Sequence, residues 1–226
     1  MISANRSPSR AVRTRILVVD DHPLVREGLA VRISAQPDLE VCCVASDLEE
    51  AWTRVREQPP DLVILDLAFN RGSGLDLIKK VATGLAKPKI LVVSAYEEEL
   101  FAERVLCAGA QGYLNKVELS GSVIEAIRVV IEGGGLYLSA AMARRIASQT
   151  ITGGHASGGL EVLSDRELQV FELIGRGQRT RTIAEQLHLS VHTIESHREN
   201  IRRKLSLRSG TELMRLAVLW TLGRAS

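Results

Sequence analysis

No stretch of this 226-residue chain approaches the ~20 consecutive apolar residues of a membrane span, so a transmembrane helix is not expected. The first fifteen residues are polar and basic and contain no apolar core segment, which argues against a secretory signal. Cysteine is sparse. Cys42, Cys43 and Cys107 have no metal-ligand spacing, and buried reduced thiols are the expectation rather than disulfides or metal ligands. No glycine-rich loop follows any apolar run, which counts against a nucleotide-binding α/β protein. Net charge is also small, a formal +2. That balance hides a split: residues 15–132 hold 13 Lys and Arg against 19 Asp and Glu, whereas residues 161–226 hold 11 against 8. An acidic half followed by a basic half suggests an input module joined to a nucleic-acid module.

Five short apolar segments, 16–19, 41–45, 62–65, 90–93 and 112–115, alternate with amphipathic stretches. Segments of that length between helices predict buried parallel strands in a doubly wound, five-stranded sheet. Pro23 stands where a helix tolerates its missing N–H, and Val25, Leu29 and Ile33 then repeat on one face. A last helix over 118–132 is predicted from Val123, Ile127, Val130 and Ile131, with Gly133 to Gly135 ending it.

Ligands of open α/β sheets bind beyond the carboxyl ends of the strands. Asp20 and Asp21 close the first segment, Asp66 the third and Ser94 the fourth, while Lys116 follows the fifth. These residues should therefore meet at one sheet edge. Paired carboxylates with a third on a neighbouring strand suit Mg²⁺, which prefers oxygen ligands. An aspartate can also act as a nucleophile and carry a phosphoryl group. A hydroxyl and an ammonium can then hold phosphoryl oxygens. Each residue alone has a plainer explanation: Asp-Asp as a turn and helix cap, Ser94 with Glu97 as a capping box, Lys116 as a solvated lysine. Their occurrence together and in this order favours the functional explanation.

Residues 133–160 predict a linker with a short helix in which Ser139 caps and Met142 and Ile146 share a face, followed by a Gly/Ser/Thr-rich tether containing a solvated His155. Beyond it, Ser164-x-x-Glu167 predicts a capping box, and Gly175 and Gly177 close that helix. A helix from Thr180, a turn at 188–190 and a helix over 192–205 capped by Ser190 form a helix-turn-helix pattern. Ile194, Ile201 and Leu205 should be buried, whereas Thr193, Glu195, Ser196, Glu199, Arg202 and Arg203 point elsewhere. Ser209-x-x-Glu212 opens a final helix carrying Leu213, Leu216, Ala217 and Trp220.

The segments VVDDHPLVREGL (18–29), DLVILDLAFNRGSGLDLIKK (61–80), ILVVSAYEE (90–98) and AGAQGYLNK (108–116) resemble the receiver domain of two-component response regulators. LSDRELQVFELIGRGQRTRTIAEQLHLSVHTIESHRENIRRKL (163–205) is similar to the LuxR/FixJ-type helix-turn-helix domain. The resemblance implies a flavodoxin-like α/β receiver over 15–132 and an all-α DNA-binding domain over 161–226, after a basic disordered tail at 1–14. It implies that Asp66 is the phosphoacceptor for a histidine kinase, and that Mg²⁺ is held by Asp21, Asp66 and the Ala68 backbone carbonyl with Asp20 assisting. Ser94, Lys116 and the switch aromatic Tyr113 would sense the phosphoryl group. Thr193, Glu195, Ser196 and Glu199 would lie near base edges of double-stranded DNA, and Arg198, Arg202, Arg203 and Lys204 on phosphates. His197 is expected to pack.

A cytoplasmic NarL/FixJ-type transcription regulator, homodimeric when active and not a turnover enzyme, is the resulting expectation. One departure stands out: Asn70 occupies the position where the family usually has proline, and Arg71 adds a cation beside it. That departure motivates a rival, a DNA-binding regulator that no longer uses phosphate. A more distant rival is an aspartyl-phosphate hydrolase. It is disfavoured because Ala68 stands where an acid/base aspartate would be needed.

Overall fold

The computed structural model describes residues 13–69, 73–132, 135–152 and 160–224. Asn70, Arg71, Gly133, Gly134, the tether with His155 and nearly all of the basic tail lie outside the described residues. The chain forms two compact units that divide between Arg144 and Arg145.

The first unit contains β1 (Thr14–Val19), α1 (Pro23–Ser34), β2 (Leu39–Ala45), α2 (Leu48–Glu57), β3 (Leu62–Leu65), α3 (Gly74–Ala82), β4 (Lys89–Ser94), α4 (Glu98–Ala108), β5 (Gly112–Asn115) and α5 (Leu119–Glu132). All strand pairs are parallel, in the order β2-β1-β3-β4-β5. Helices cover both faces, which is why the strands are continuous apolar runs rather than alternating ones. Ile16 to Val19 and Leu62 to Leu65 are all buried. Each such aliphatic side chain stabilises the unit by about 1.5–3 kcal/mol relative to exposure.

Two helix ends follow directly from their sequences. Asp47 caps α2 by accepting from the Glu50 N–H at 2.8 Å. Gly109 ends α4 at φ +115°, and a Cβ there would sit 2.6 Å from the Ala82 Cβ. Ser94 does not cap α4. It is the last residue of β4, and Glu97 precedes the helix.

Two features differ from the sequence expectations. The thiols are not buried: Cys107 is exposed on α4, and Cys42 and Cys43 are half-exposed. β2 is an edge strand whose pairing with β1 jumps from Ile16 opposite Val41 to Leu17 opposite Cys43, so Cys42 is a bulged extra residue. Residue Tyr137 also joins the other sheet edge. The Tyr113 N–H donates to the Tyr137 carbonyl at 2.8 Å, and the Tyr137 N–H donates to the Gln111 carbonyl at 3.0 Å. α6 (Ala140–Thr152) follows, with the Ser139 hydroxyl accepting from the Met142 N–H and Met142 buried.

The second unit contains α7 (Asp165–Gly175), α8 (Thr180–Gln186), α9 (Val191–Lys204) and α10 (Gly210–Arg224). The Ser164–Glu167 capping box is complete, with both reciprocal hydrogen bonds formed. Phe171 and Trp220 pack edge to face, with ring centroids 5.7 Å apart. α7 and α10 approach closely because residue 175 is glycine: a Cβ there would collide with the Thr221 hydroxyl and come within 2.5 Å of the Ala217 carbonyl.

Candidate functional site

Parallel pairing of β1 with β3 places the residue after each strand side by side. The Asp66 N–H donates to the Val19 carbonyl at 2.9 Å, and the Asp20 N–H to the Ala45 carbonyl at 3.2 Å, which fixes both aspartates at the carboxyl edge. Asp20 and Asp66 are 2% and 1% exposed, which is costly for carboxylates without partners. Their partner is Lys116, in the turn after β5. Its ammonium lies 2.7 Å from Asp20 Oδ2 and 2.6 Å from Asp66 Oδ2. The other Asp66 oxygen accepts from the Ala68 N–H at 3.1 Å.

Burial pushes the Asp66 carboxyl above its usual range despite the pull of Lys116. Burial would lower the Lys116 ammonium, but Asp66 and Asp20 outweigh it and hold it above the ordinary lysine value. Asp20, Asp21, His22 and Asp66 each bring a ligand atom within 4.8 Å of the others. Three carboxylates against one ammonium leave excess negative charge. Asp21 Oδ1 is buried without a hydrogen-bond partner among the described residues, although His22 Nδ1 lies 2.7 Å away. Hard oxygen donors in this arrangement can hold a divalent cation such as Mg²⁺.

Ser94 is fully buried beside Tyr113. The Ser94 hydroxyl accepts from the Tyr96 N–H at 3.3 Å. The Tyr113 hydroxyl donates to the Tyr96 carbonyl at 2.8 Å, and Tyr113 is 1% exposed. Burial raises the Tyr113 phenol well above its ordinary value, so it remains a donor. Asp20, Asp21, Asp66, Ser94 and Lys116 thus lie at the carboxyl ends of four neighbouring strands, and Tyr113, within β5, reaches the loop after β4 through its hydroxyl. Two participants escaped sequence reasoning. His22 donates its N–H to Asp20 Oδ1 at 2.8 Å, a role its place directly after Asp20-Asp21 could have suggested. Asn115 donates to the Tyr96 carbonyl at 3.2 Å and accepts from the Val117 N–H at 3.0 Å, tying the β4–α4 loop to the turn that carries Lys116.

In the helical unit, Ser190 caps α9 through the Thr193 N–H at 3.0 Å, and Ile194 and Ile201 are fully buried against the other helices. Glu195, Ser196, Glu199, Arg203 and Lys204 are exposed, and Thr193, Arg198 and Arg202 are half-exposed. The two glutamates are paired within the helix: Glu199 holds Arg202 at 2.8 Å, and Glu195 lies 3.7 Å from Arg198 while accepting from the Thr180 hydroxyl at 2.9 Å. Pairing of this kind restricts the orientation of Arg198 and Arg202. Lys204 is engaged elsewhere, 2.6 Å from Glu167 of the α7 capping box. His197 is partly buried, and burial with nearby Arg166 holds its imidazole below the usual value, as befits a packing residue.

Residues 16–128 match the family described as the response regulator receiver domain, and residues 161–217 match the luxR family of bacterial regulatory proteins. The oxygen regulatory protein NreC of Staphylococcus epidermidis is 35% identical over 210 residues, covering 90% of this chain and 96% of that protein. A solved LuxR-family two-component response regulator from Aurantimonas sp. SI85-9A1 is 31% identical with a TM-score of 0.56, covering 62% of this chain and 99% of that one. RcsB from Salmonella enterica serovar Typhimurium, solved bound to promoter DNA in the presence of the phosphomimetic BeF3⁻, shares the fold at 19% identity. Its TM-score is 0.54, over 95% of this chain and 100% of that one. Among the described residues no helix is long and apolar enough to cross a membrane.

Proposed function

The chain belongs to the two-component response regulators with a LuxR-type DNA-binding domain, and from that premise we propose that Asp66 accepts a phosphoryl group from a histidine kinase and thereby controls DNA binding by residues 161–226. The observation that carries this proposal is the shared ammonium: Lys116 bridges Asp20 and Asp66 in one buried pocket at the strand ends. An Asp66 carboxylate oxygen forms the new bond to phosphorus as the phosphorus–nitrogen bond of the donor histidine breaks, leaving its electron pair on the imidazole. Lys116, already at the Asp66 oxygen, pairs with a phosphoryl oxygen, and the Ser94 hydroxyl donates to another. Asp20, Asp21, Asp66 and the Ala68 carbonyl would hold Mg²⁺, which supplies charge neutralisation for the incoming group. Tyr113 reports the change through Ser94 and the Tyr96 carbonyl. The family regulates transcription, and this chain acts as a switch in the cytoplasm rather than as a turnover enzyme.

On DNA, α9 enters the major groove of double-stranded DNA, and a homodimer reads paired half-sites. Thr193, Glu195, Ser196 and Glu199 lie near base edges. Arg198, Arg202 and Arg203 meet phosphates, with Lys204 contributing once it leaves Glu167.

A second interpretation has one observation in its favour. That interpretation is a regulator that binds DNA without using phosphate, and it is favoured by Tyr113 being buried with its hydroxyl donating to the Tyr96 carbonyl, the inward placement an active receiver would have. Incubation with Mg²⁺ and a small acyl phosphate, followed by intact mass and DNA-binding measurements, separates the two. Phosphate-dependent binding lost in Asp66→Asn supports the switch. Equal binding with and without phosphodonor, in both proteins, sinks it.

A further inference from the structure

In a regular strand adjacent side chains point to opposite faces, so neighbouring cysteines hold their sulfurs apart. The bulge in β2 breaks this rule. Cys42 is the extra residue opposite the Ile16–Leu17 step, and its sulfur comes to 3.4 Å from the Cys43 sulfur. The Cys42 thiol also lies 3.4 Å from the Ile16 carbonyl, which anchors it as a weak donor. Both residues are half-exposed on an edge strand, so a small reagent reaches them from solvent.

A disulfide fits this pair poorly. Neighbouring Cα atoms across a trans peptide are about 3.8 Å apart, below the usual ~4.4–6.8 Å span of a disulfide. The sulfurs would also have to close from 3.4 Å to bonding distance within a paired strand. A single atom inserted between them asks for much less. With sulfur bonds of about 2.3 Å, as thiolates make to zinc, sulfurs at this separation subtend an angle of roughly 95°. That is narrower than a tetrahedral zinc centre and suits the pyramidal bonds of a trivalent group-15 atom.

We propose that Cys42 and Cys43 form a dithiol site on the bulge of β2 that captures trivalent thiophilic metalloids, arsenic(III) in particular, through both sulfurs at once. The reaction with an organoarsenic oxide is a condensation. Two As–S bonds form, the arsenic–oxygen bond breaks, the two thiol protons leave with that oxygen as one water, and neither arsenic nor sulfur changes oxidation state. Burial, with the neighbouring Cys42 thiol, pushes the Cys43 thiol up to about 12, which slows attack by peroxide because that needs a thiolate. Condensation with an arsenic–oxygen bond carries its own base and is far less affected.

The test uses the reduced full-length chain and phenylarsine oxide. Native mass spectrometry should show one phenylarsenic group added and two hydrogens lost, with the adduct resisting excess glutathione and yielding to a dithiol. Cys107→Ser should behave as wild type. Cys42→Ser and Cys43→Ser should each weaken binding by about a hundredfold, the gain expected from an intramolecular second attachment. Circular dichroism on each variant keeps misfolding from being mistaken for loss of the site. A glutathione-resistant adduct in either single variant overturns the proposal. So does binding as tight in denaturing urea as in native buffer, because the bulge would then contribute nothing. Spontaneous loss of two hydrogens to a Cys42–Cys43 disulfide in air would also overturn it.

Discussion

Replacing Lys116 by methionine keeps the length of the side chain and removes its charge. In the wild type the Lys116 side chain is 14% exposed, and its ammonium faces two carboxylates whose side chains are 3% and 0% exposed. The variant leaves Asp20 and Asp66 buried together with no ammonium between them. Removing one partner of a buried ion pair costs about 3–5 kcal/mol, and here one lysine serves two acids. For a unit of this size, at about 4 °C per kcal/mol, the receiver transition should fall by roughly 12–20 °C at pH 7 in metal-free buffer.

The sign with pH is fixed by the same contacts. Lys116 is held above its ordinary value, so its contribution is fully present below the unfolded lysine pKa and fades only as pH rises through the folded one. Without it, Asp66, already raised by burial, rises further, and the deficit should shrink toward about pH 4 as the carboxyls protonate. Combining Lys116→Met with Asp66→Asn should recover part of the loss, because one buried charge goes with the other. Scanning calorimetry of the full chain, in chelator and in Mg²⁺, measures all of this. A variant that melts with wild type at pH 7 in chelator, or whose deficit is the same at acid pH, would refute the assignment of Lys116 as counter-ion to both aspartates.

Gly175→Ala should destabilise the helical unit by about 1–3 kcal/mol in urea unfolding, because the new methyl meets the α10 backbone at Ala217. Tyr113→Phe should cost about 1 kcal/mol in receiver stability while leaving Asp66 phosphorylation by acyl phosphate intact, since the hydroxyl bonds Tyr96 and not Asp66. Glu167 is a buried carboxylate held below its usual range: burial opposes this, and Lys204 and Ser164 prevail. Its contribution is therefore present above the unfolded value of about 4.5 and is lost as pH falls through the folded one, so Glu167→Gln should cost about 1–2 kcal/mol at pH 7 and flatten the acid limb of the helical unit's stability curve. Arg202→Ala should weaken DNA binding similarly across sequences and reduce the salt slope by about one.

The sheet was legible because its strands are buried on both faces and so appear as uninterrupted Val, Leu and Ile runs. The pocket was legible because its members follow those runs directly. The capping box at Ser164 and the Ser209 cap on α10, whose hydroxyl accepts from the Glu212 N–H at 3.1 Å, were equally plain, as they depend on residues three apart. What escaped notice depends on pairing between distant segments. Nothing near Cys42 encodes the register slip against Ile16, and the half-exposure of Cys42 and Cys43 reflects the place of β2 at the sheet edge. The docking of Tyr137 on β5 likewise needs both partners in place. Ser94 lost its capping role because α4 starts three residues later than its capping-box spacing suggested.

Open sheets are vulnerable at their two outermost strands, where unpaired backbone groups can recruit another chain. In this receiver both are blunted by different means. β5 has its free side taken by Tyr137, and β2 is interrupted by the bulge at Cys42. A second copy therefore finds no regular ladder to extend, so fibre-like stacking of receivers is disfavoured. Any contact between two such units would then fall to side chains on helical faces, which can select a partner, rather than to backbone pairing, which cannot.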